Sequence, residues 1–217
     1  MSSHSNRDAD TSCTFDYLAE MFAEKRGTKN PADVPKVRPC VRCGHLTIER
    51  TGTAKGSRAV FSDDGKYRYR LTRLLNEYGK AGWICWILLN PSTADENVLD
   101  PTLRRCRDFS LAWGHEGMII VNLFGLRATN PKELAAVVDP VGEDNDEHIA
   151  WAVGEADRIM VAWGTHPMTL RFNRRDEVRR ILDRASRVVF ALKLTRSGAP
   201  GHPLYLPKDL LPFEYRT

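Results

Sequence analysis

The chain has 217 residues, 42% hydrophobic and 28% charged, with 32 Lys and Arg against 28 Asp and Glu. Those proportions exclude a largely disordered chain and suit one sizeable core, or one domain with an appendage. No apolar run reaches the roughly 18 residues needed to cross a bilayer, and the first dozen residues hold no signal-peptide core. The expected setting is the cytoplasm, with no membrane partner. The net charge of +4 is too mild to name any other partner by itself.

Residues 1–38 are polar and carry one helical stretch, in which Phe15, Leu18, Met21 and Phe22 recur at helical spacing behind a capping Thr14. Residues 30–39 hold three prolines and read as a linker. Cys40-Val41-Arg42-Cys43-Gly44-His45 has half the ligand pattern of a zinc ribbon. A structural zinc needs four ligands, so Cys13, His4 or His45 would have to complete the set. The expectation is no cofactor, with Cys40 and Cys43 as the only cysteines at metal-ligand spacing. An odd count of five cysteines, with no export signal, also argues against a disulfide framework. Next, residues 58–62 and 67–71 flank Asp63-Asp64-Gly65-Lys66, which has hairpin turn chemistry. We therefore divide the chain into an extension, 1–57, and a principal domain, 58–217.

Four short apolar runs follow, 83–89, 118–124, 159–163 and 188–192, each rich in β-branched or aromatic residues. Helical segments lie between them at 103–113, 146–157 and 175–185. In the last, Val178, Ile181, Leu182 and Ala185 make an apolar stripe among arginines. Strands alternating with helices imply right-handed crossovers. The expected class is α/β, a three-layer α/β/α sandwich with a parallel four-stranded central sheet. Ligands of such sheets sit at the carboxyl ends of the strands, so the residues after each run are the ones to read.

Those ends carry Asn90-Pro91 with Asp95 and Asp100, then Asn122 and Phe124 with Arg127, then Trp163-Gly164, and finally His202-Pro203 with Leu204. Taken singly each has a structural reading. Asn-Pro opens turns, Asp100 before Pro101 can simply cap a helix, and Trp163 suits a core. Asn122 inside a strand is harder to explain that way, because a buried amide without partners is costly.

The order LLNPSTAD, DPTLRRC, GMIIVN, NLFGLRAT, IMVAWG and HPLYL resembles the motif order of the uracil-DNA-glycosylase-like superfamily, over residues 58–207. More narrowly, it resembles a bacterial and phage family catalogued as a domain of unknown function. The resemblance implies a monofunctional DNA glycosylase. Asn90 would position the water, His202 would donate a hydrogen bond to the leaving base, and Asn122 would read the edge of a flipped base. Asp95 or Asp100 could assist the water. Phe124 or Trp163 would stack on the base, Pro91 would shape the water-holding turn, and Arg127 would hold a phosphate or sugar substituent. No aromatic gate or carboxylate of the uracil-specific members can be placed, so a bulkier pyrimidine is expected. Glucosylated 5-hydroxymethylcytosine in phage DNA is the expected base, in antiviral defence. Some relatives hold an iron–sulfur cluster, but Cys85 lies inside a strand before the Asn-Pro motif, the wrong order for one.

Charge distribution points the same way. Residues 164–196 carry nine Lys or Arg and three Asp or Glu, 66–80 carry five and one, and 139–157 carry none and seven. Such separation suits a surface that follows a phosphate backbone. Arg171, Arg174, Arg175, Lys193, Arg196 and Leu204 are the expected DNA contacts, on double-stranded DNA and by a monomer. Two further classes remain: a nucleoside or nucleotide N-glycosidase, and a non-catalytic module that binds modified DNA.

Overall fold

The structure, a computed structural model, describes residues 36–39 and 46–216. The helical stretch at 14–22 and the zinc candidates Cys13, Cys40, Cys43, His4 and His45 lie outside those residues. Nine strands form one mixed sheet: β1 (Lys36–Pro39), β2 (Leu46–Thr51), β3 (Arg58–Ser62), β4 (Arg68–Leu74), β5 (Trp83–Leu88), β6 (Gly117–Asn122), β7 (Arg158–Val161), β8 (Val189–Ala191) and β9 (Phe213–Glu214). Their order is β1-β2-β3-β4-β6-β5-β7-β8-β9. Among the described residues three α-helices accompany the sheet: α1 (Pro101–Ala112), α2 (Asn145–Glu155) and α3 (Arg174–Arg184).

A central sheet of four strands is too small a description. The four apolar runs do pair in parallel, as β6-β5-β7-β8. Antiparallel strands extend them on both sides, four through β4 and one through β9. The apolar-run criterion sees only strands buried on both faces. β2 (LTIERT) is largely polar and only partly buried, so it carries no such signal. The expected linker also ends early, because Lys36–Pro39 pairs with Leu46–Glu49.

The helices lie on opposite faces. On one, Leu103, Cys106 and Phe109 of α1 pack on Ile84, Trp86, Met118, Ile120 and Met160. On the other, Ile149 and Val153 of α2, with Val178 and Leu182 of α3, cover Cys85, Ile87, Val121 and Val161. Both described cysteines are buried and free, and burial raises the thiol pKa of each. Helix α1 starts where expected: Asp100 Oδ1 accepts from Leu103 N at 2.8 Å, with Pro101 following.

The antiparallel strands brace the loop between β5 and α1. Arg73 donates to the Asp95 carbonyl and Ser57 Oγ to the Glu96 carbonyl, while Thr53 N donates to Asn97 Oδ1 at 2.9 Å. Gly52 lies so close that a Cβ there would meet the Glu96 carbonyl and the Ser57 hydroxyl. Backbone cannot yield as a side-chain tip can. Gly52→Ala is expected to destabilise the protein by about 1–3 kcal/mol, read as a lower urea midpoint.

Candidate active site

The loops after β5, β6, β7 and β8 converge on a cleft of about 930 Å³ at the carboxyl ends of the parallel strands. Asn90, Asp100, Asn122, Trp163 and His202 all line it, and so do Lys193, Arg196 and Leu204. Sequence positions spread over more than a hundred residues thus meet in one place. The topology is the reason, since every parallel strand delivers its following loop to the same edge.

The floor is polar and unpaired. Asn122 ends β6 with no exposure, and neither its Oδ1 nor its Nδ2 has a hydrogen-bond partner among the described residues. Leaving such a group unsatisfied costs about 1–3 kcal/mol, so the amide is suited to take a partner from the cleft, whether a ligand or water. Its backbone is held from the far side of the sheet, where Asn145 Nδ2 donates to the carbonyls of Asn122 and Leu123 at 3.1 and 3.2 Å. Asn90 is fixed differently: its Nδ2 donates to the carbonyls of Pro91 and Ala128 at 2.9 and 2.8 Å. Those bonds leave Oδ1 as the atom of that amide free to accept.

His202 sits at the rim, with its ring 5.5 Å from that of Tyr205 and its buried Nδ1 without a partner among the described residues. Burial lowers its pKa below 6.5, against the opposing pull of the Asp100 carboxylate, so the ring is neutral at pH 7. Asp100 uses Oδ1 for the helix cap yet lines the cleft. Trp163 is buried against the core and its Nε1 has no hydrogen-bond partner among the described residues.

Several expected contacts lie elsewhere. Phe124 is fully buried in the α2–α3 core and does not reach the cleft, because the chain beyond Asn122 turns into that face. Pro91 is buried beneath it, its carbonyl accepting from Ala128 N at 2.9 Å and from Asn90. Asp95 Oδ1 accepts from the amides of Asn97 and Val98, both at 2.8 Å, and so closes its own turn. Arg127 lines a smaller adjoining groove with Lys66, Thr93 and Glu133, its guanidinium 5.2 Å from the Phe61 ring centroid.

The expected DNA contacts divide too. Arg174 is fully buried, donating to the Leu123 carbonyl and paired with Asp146 and Glu177, so no phosphate can reach it. Arg171 is exposed but donates to the Ala135 carbonyl at 3.2 Å, and Arg175 pairs with Asp176 at 3.6 Å. Neither lines the cleft. Arg68, Arg70 and Arg73 are also buried, so much of the basic segment 66–80 points inward. Charge counts along a chain do not distinguish a solvated cation from one whose guanidinium is buried. Conversely, the cleft holds Arg68, His166 and Thr165, which the sequence reading missed. His166 accepts from Met168 N through Nδ1 at 3.3 Å. Its place three residues past the Trp163 run was the available signal.

No group of His, Cys, Asp and Glu able to hold a metal occurs among the described residues, and none of their helices is long and apolar enough to cross a membrane. Residues 68–204 match the model of a family described as protein of unknown function (DUF1643), and the chain belongs to that family. No curated protein and no solved structure matches it.

His115 and His148 share the lowered pKa of His202, in each case chiefly through burial. The unfolded chain takes up protons near pH 6.5, and the folded chain only at lower pH. Stability should therefore fall as pH drops below 6.5 and level off once the folded values are passed. Imidazole resonances titrating at or above 6.5 in the native protein would contradict this.

Proposed function

We propose that the protein is a monofunctional DNA glycosylase acting on a flipped, enlarged pyrimidine, with glucosylated 5-hydroxymethylcytosine as the favoured base. The observation that carries the reading is the unpartnered Asn122 amide on the floor of a cleft whose mouth holds Asn90, His202, Lys193 and Arg196. An amide offers a donor and an acceptor side by side, which suits the polar edge of a base. A cleft of about 930 Å³ has room for a base with a sugar substituent. The same motif order supports the likeness to uracil-DNA-glycosylase-like enzymes.

In this reading the base enters with its edge on Asn122. Asn90, its amide anchored through Nδ2, accepts from a water through Oδ1 and holds it beside the sugar. An amide cannot take a proton as a carboxylate would, so the sugar–base bond breaks ahead of water capture. Neutral His202 donates to the base as negative charge gathers there. The second carboxylate oxygen of Asp100 stabilises the cationic sugar. Lys193 and Arg196 receive the flanking phosphates, in a monomer acting on duplex DNA.

The test is direct. Duplexes bearing cytosine, uracil, 5-hydroxymethylcytosine and its glucosylated form are incubated with the protein and assayed for free base and alkali-labile sites. Release from the glucosylated duplex and none from cytosine is expected. Release of uracil alone would overturn the choice of base. Tight, salt-sensitive binding without release would favour a non-catalytic binder, and release from free nucleosides but not duplexes would favour a nucleoside hydrolase.

A further inference from the structure

The cleft contains a buried cation that no carboxylate of the described residues pairs with directly. Arg68 and Arg174 are the two arginines among the largest fully buried side chains, at 1% and 0% exposure, and their surroundings differ. Arg174 faces the carboxylates of Asp146 and Glu177. Arg68 forms no ion pair among the described residues; Nη1 donates to the Ala94 carbonyl at 2.6 Å, and Nε is buried with no partner. Removing a guanidinium from water without pairing it is costly, and a single carbonyl is a poor return for that cost.

A β-bulge puts Arg68 there. Val60 faces Arg70 and Phe61 faces Arg68, which leaves Tyr69 as the extra residue. Leu71 packs on the α1 face, so strict alternation would send Arg68 to the opposite face. Instead Arg70 and Tyr69 both turn toward α2, Arg70 lying 4.0 Å over the Trp151 ring and Tyr69 stacking 5.2 Å from His148. The inserted residue inverts the alternation and delivers Arg68 to the α1 face, which also carries Ile120 and, beyond it, Asn122. Bulges beside functional sites are a recurrent means of re-aiming one side chain.

We propose that Arg68 is a catalytic residue of the cleft, a cation that contacts the departing base and stabilises its negative charge. This rests on the glycosylase reading above. The C1′–N bond breaks with its electron pair going to the base, water oxygen bonds to C1′, and the proton lost from that water ends on the released base through solvent. Charge is therefore greatest on the base just after cleavage, where a fixed buried cation acts most strongly. Burial lowers the guanidinium pKa to about 10, with Asp100 the leading opposing influence, so it stays charged at pH 7. Neutral His202 and cationic Arg68 then divide the work: one donates a hydrogen bond, the other supplies charge.

Single-turnover release from glucosylated 5-hydroxymethylcytosine DNA is compared for wild type, Arg68→Met and Arg68→Lys. Affinity for the same duplex with an uncleavable 2′-fluoro nucleotide, and thermal midpoints, are measured in parallel. Arg68→Met is expected to slow cleavage about 100-fold with affinity changed less than threefold, and Arg68→Lys to recover about tenfold of that. Should Arg68→Met fail to fold, Arg68→Lys decides: a rate about tenfold below wild type at equal affinity supports the role, and an unchanged rate overturns it. Wild-type release with Arg68→Met within threefold overturns the role alone, as does a loss of affinity and thermal midpoint that lysine does not restore. No release by wild type from any duplex overturns the glycosylase reading and this role together.

Discussion

Replacing His202 by alanine is expected to slow base release from modified DNA by about 10²–10³-fold while leaving duplex affinity close to wild type. The size follows from the ring's setting. It is half-buried at the cleft rim, neutral at pH 7 because burial lowers its pKa, and its Nδ1 meets no other group of the described protein. A donor held ready in this way makes its bond as charge develops, without reorganising first. Alanine removes the donor and lets water in, but it leaves Lys193 and Arg196, the phosphate contacts in the proposed reading, in place. The check is a single-turnover time course alongside a binding isotherm. A rate within threefold of wild type would show that the base leaves without help from His202.

Arg174→Ala is expected to be the most destabilising substitution on the α3 side, by about 3 kcal/mol, read from urea unfolding. Three losses combine. The Leu123 carbonyl loses a charge-assisted donor, a cavity opens in a fully buried position, and Asp146 and Glu177 are left facing each other without the cation between them. The two carboxylates are about half exposed and regain water, which keeps the cost from rising further. Since Asn145 holds the same Leu123 carbonyl together with that of Asn122, the loss should also loosen the cleft floor. A surface role would predict the opposite pattern: unchanged stability with weakened, less salt-dependent DNA binding.

Much of this architecture is legible in the chain because its signals are local. The runs at 83–89 and 118–124 appear as Trp83–Leu88 and Gly117–Asn122, and the arginine-flanked stripe at 175–185 as Arg174–Arg184. Apolar periodicity reports burial, and burial on both faces marks a central strand. The cleft residues Asn90, Asp100, Asn122, Trp163 and His202 follow from one rule, that parallel strands bring their ends and following loops to one edge. What stayed hidden depends on geometry that composition does not encode. Arg68 was counted as surface charge because the bulge at Tyr69 reverses its face. Phe124 was read as a stacking platform because nothing in NLFGLRAT says which way the chain turns after the strand. Arg174 looks like a phosphate contact in the sequence because the groups that bury it, the Leu123 carbonyl and Asp146, lie 51 and 28 residues away.

The division of labour between floor and walls has a consequence for how this protein can change. Asn122 is part of the rigid sheet, and Arg68 is held there by a bulge. The walls come from the separate connections that follow β5, β6, β7 and β8. Each connection has exposed stretches that could lengthen or shorten while the parallel strands beneath stay fixed. Diversification among descendants of this fold should therefore be concentrated in wall length and composition, altering which substituent is admitted. The chemistry performed on the admitted molecule would be inherited unchanged.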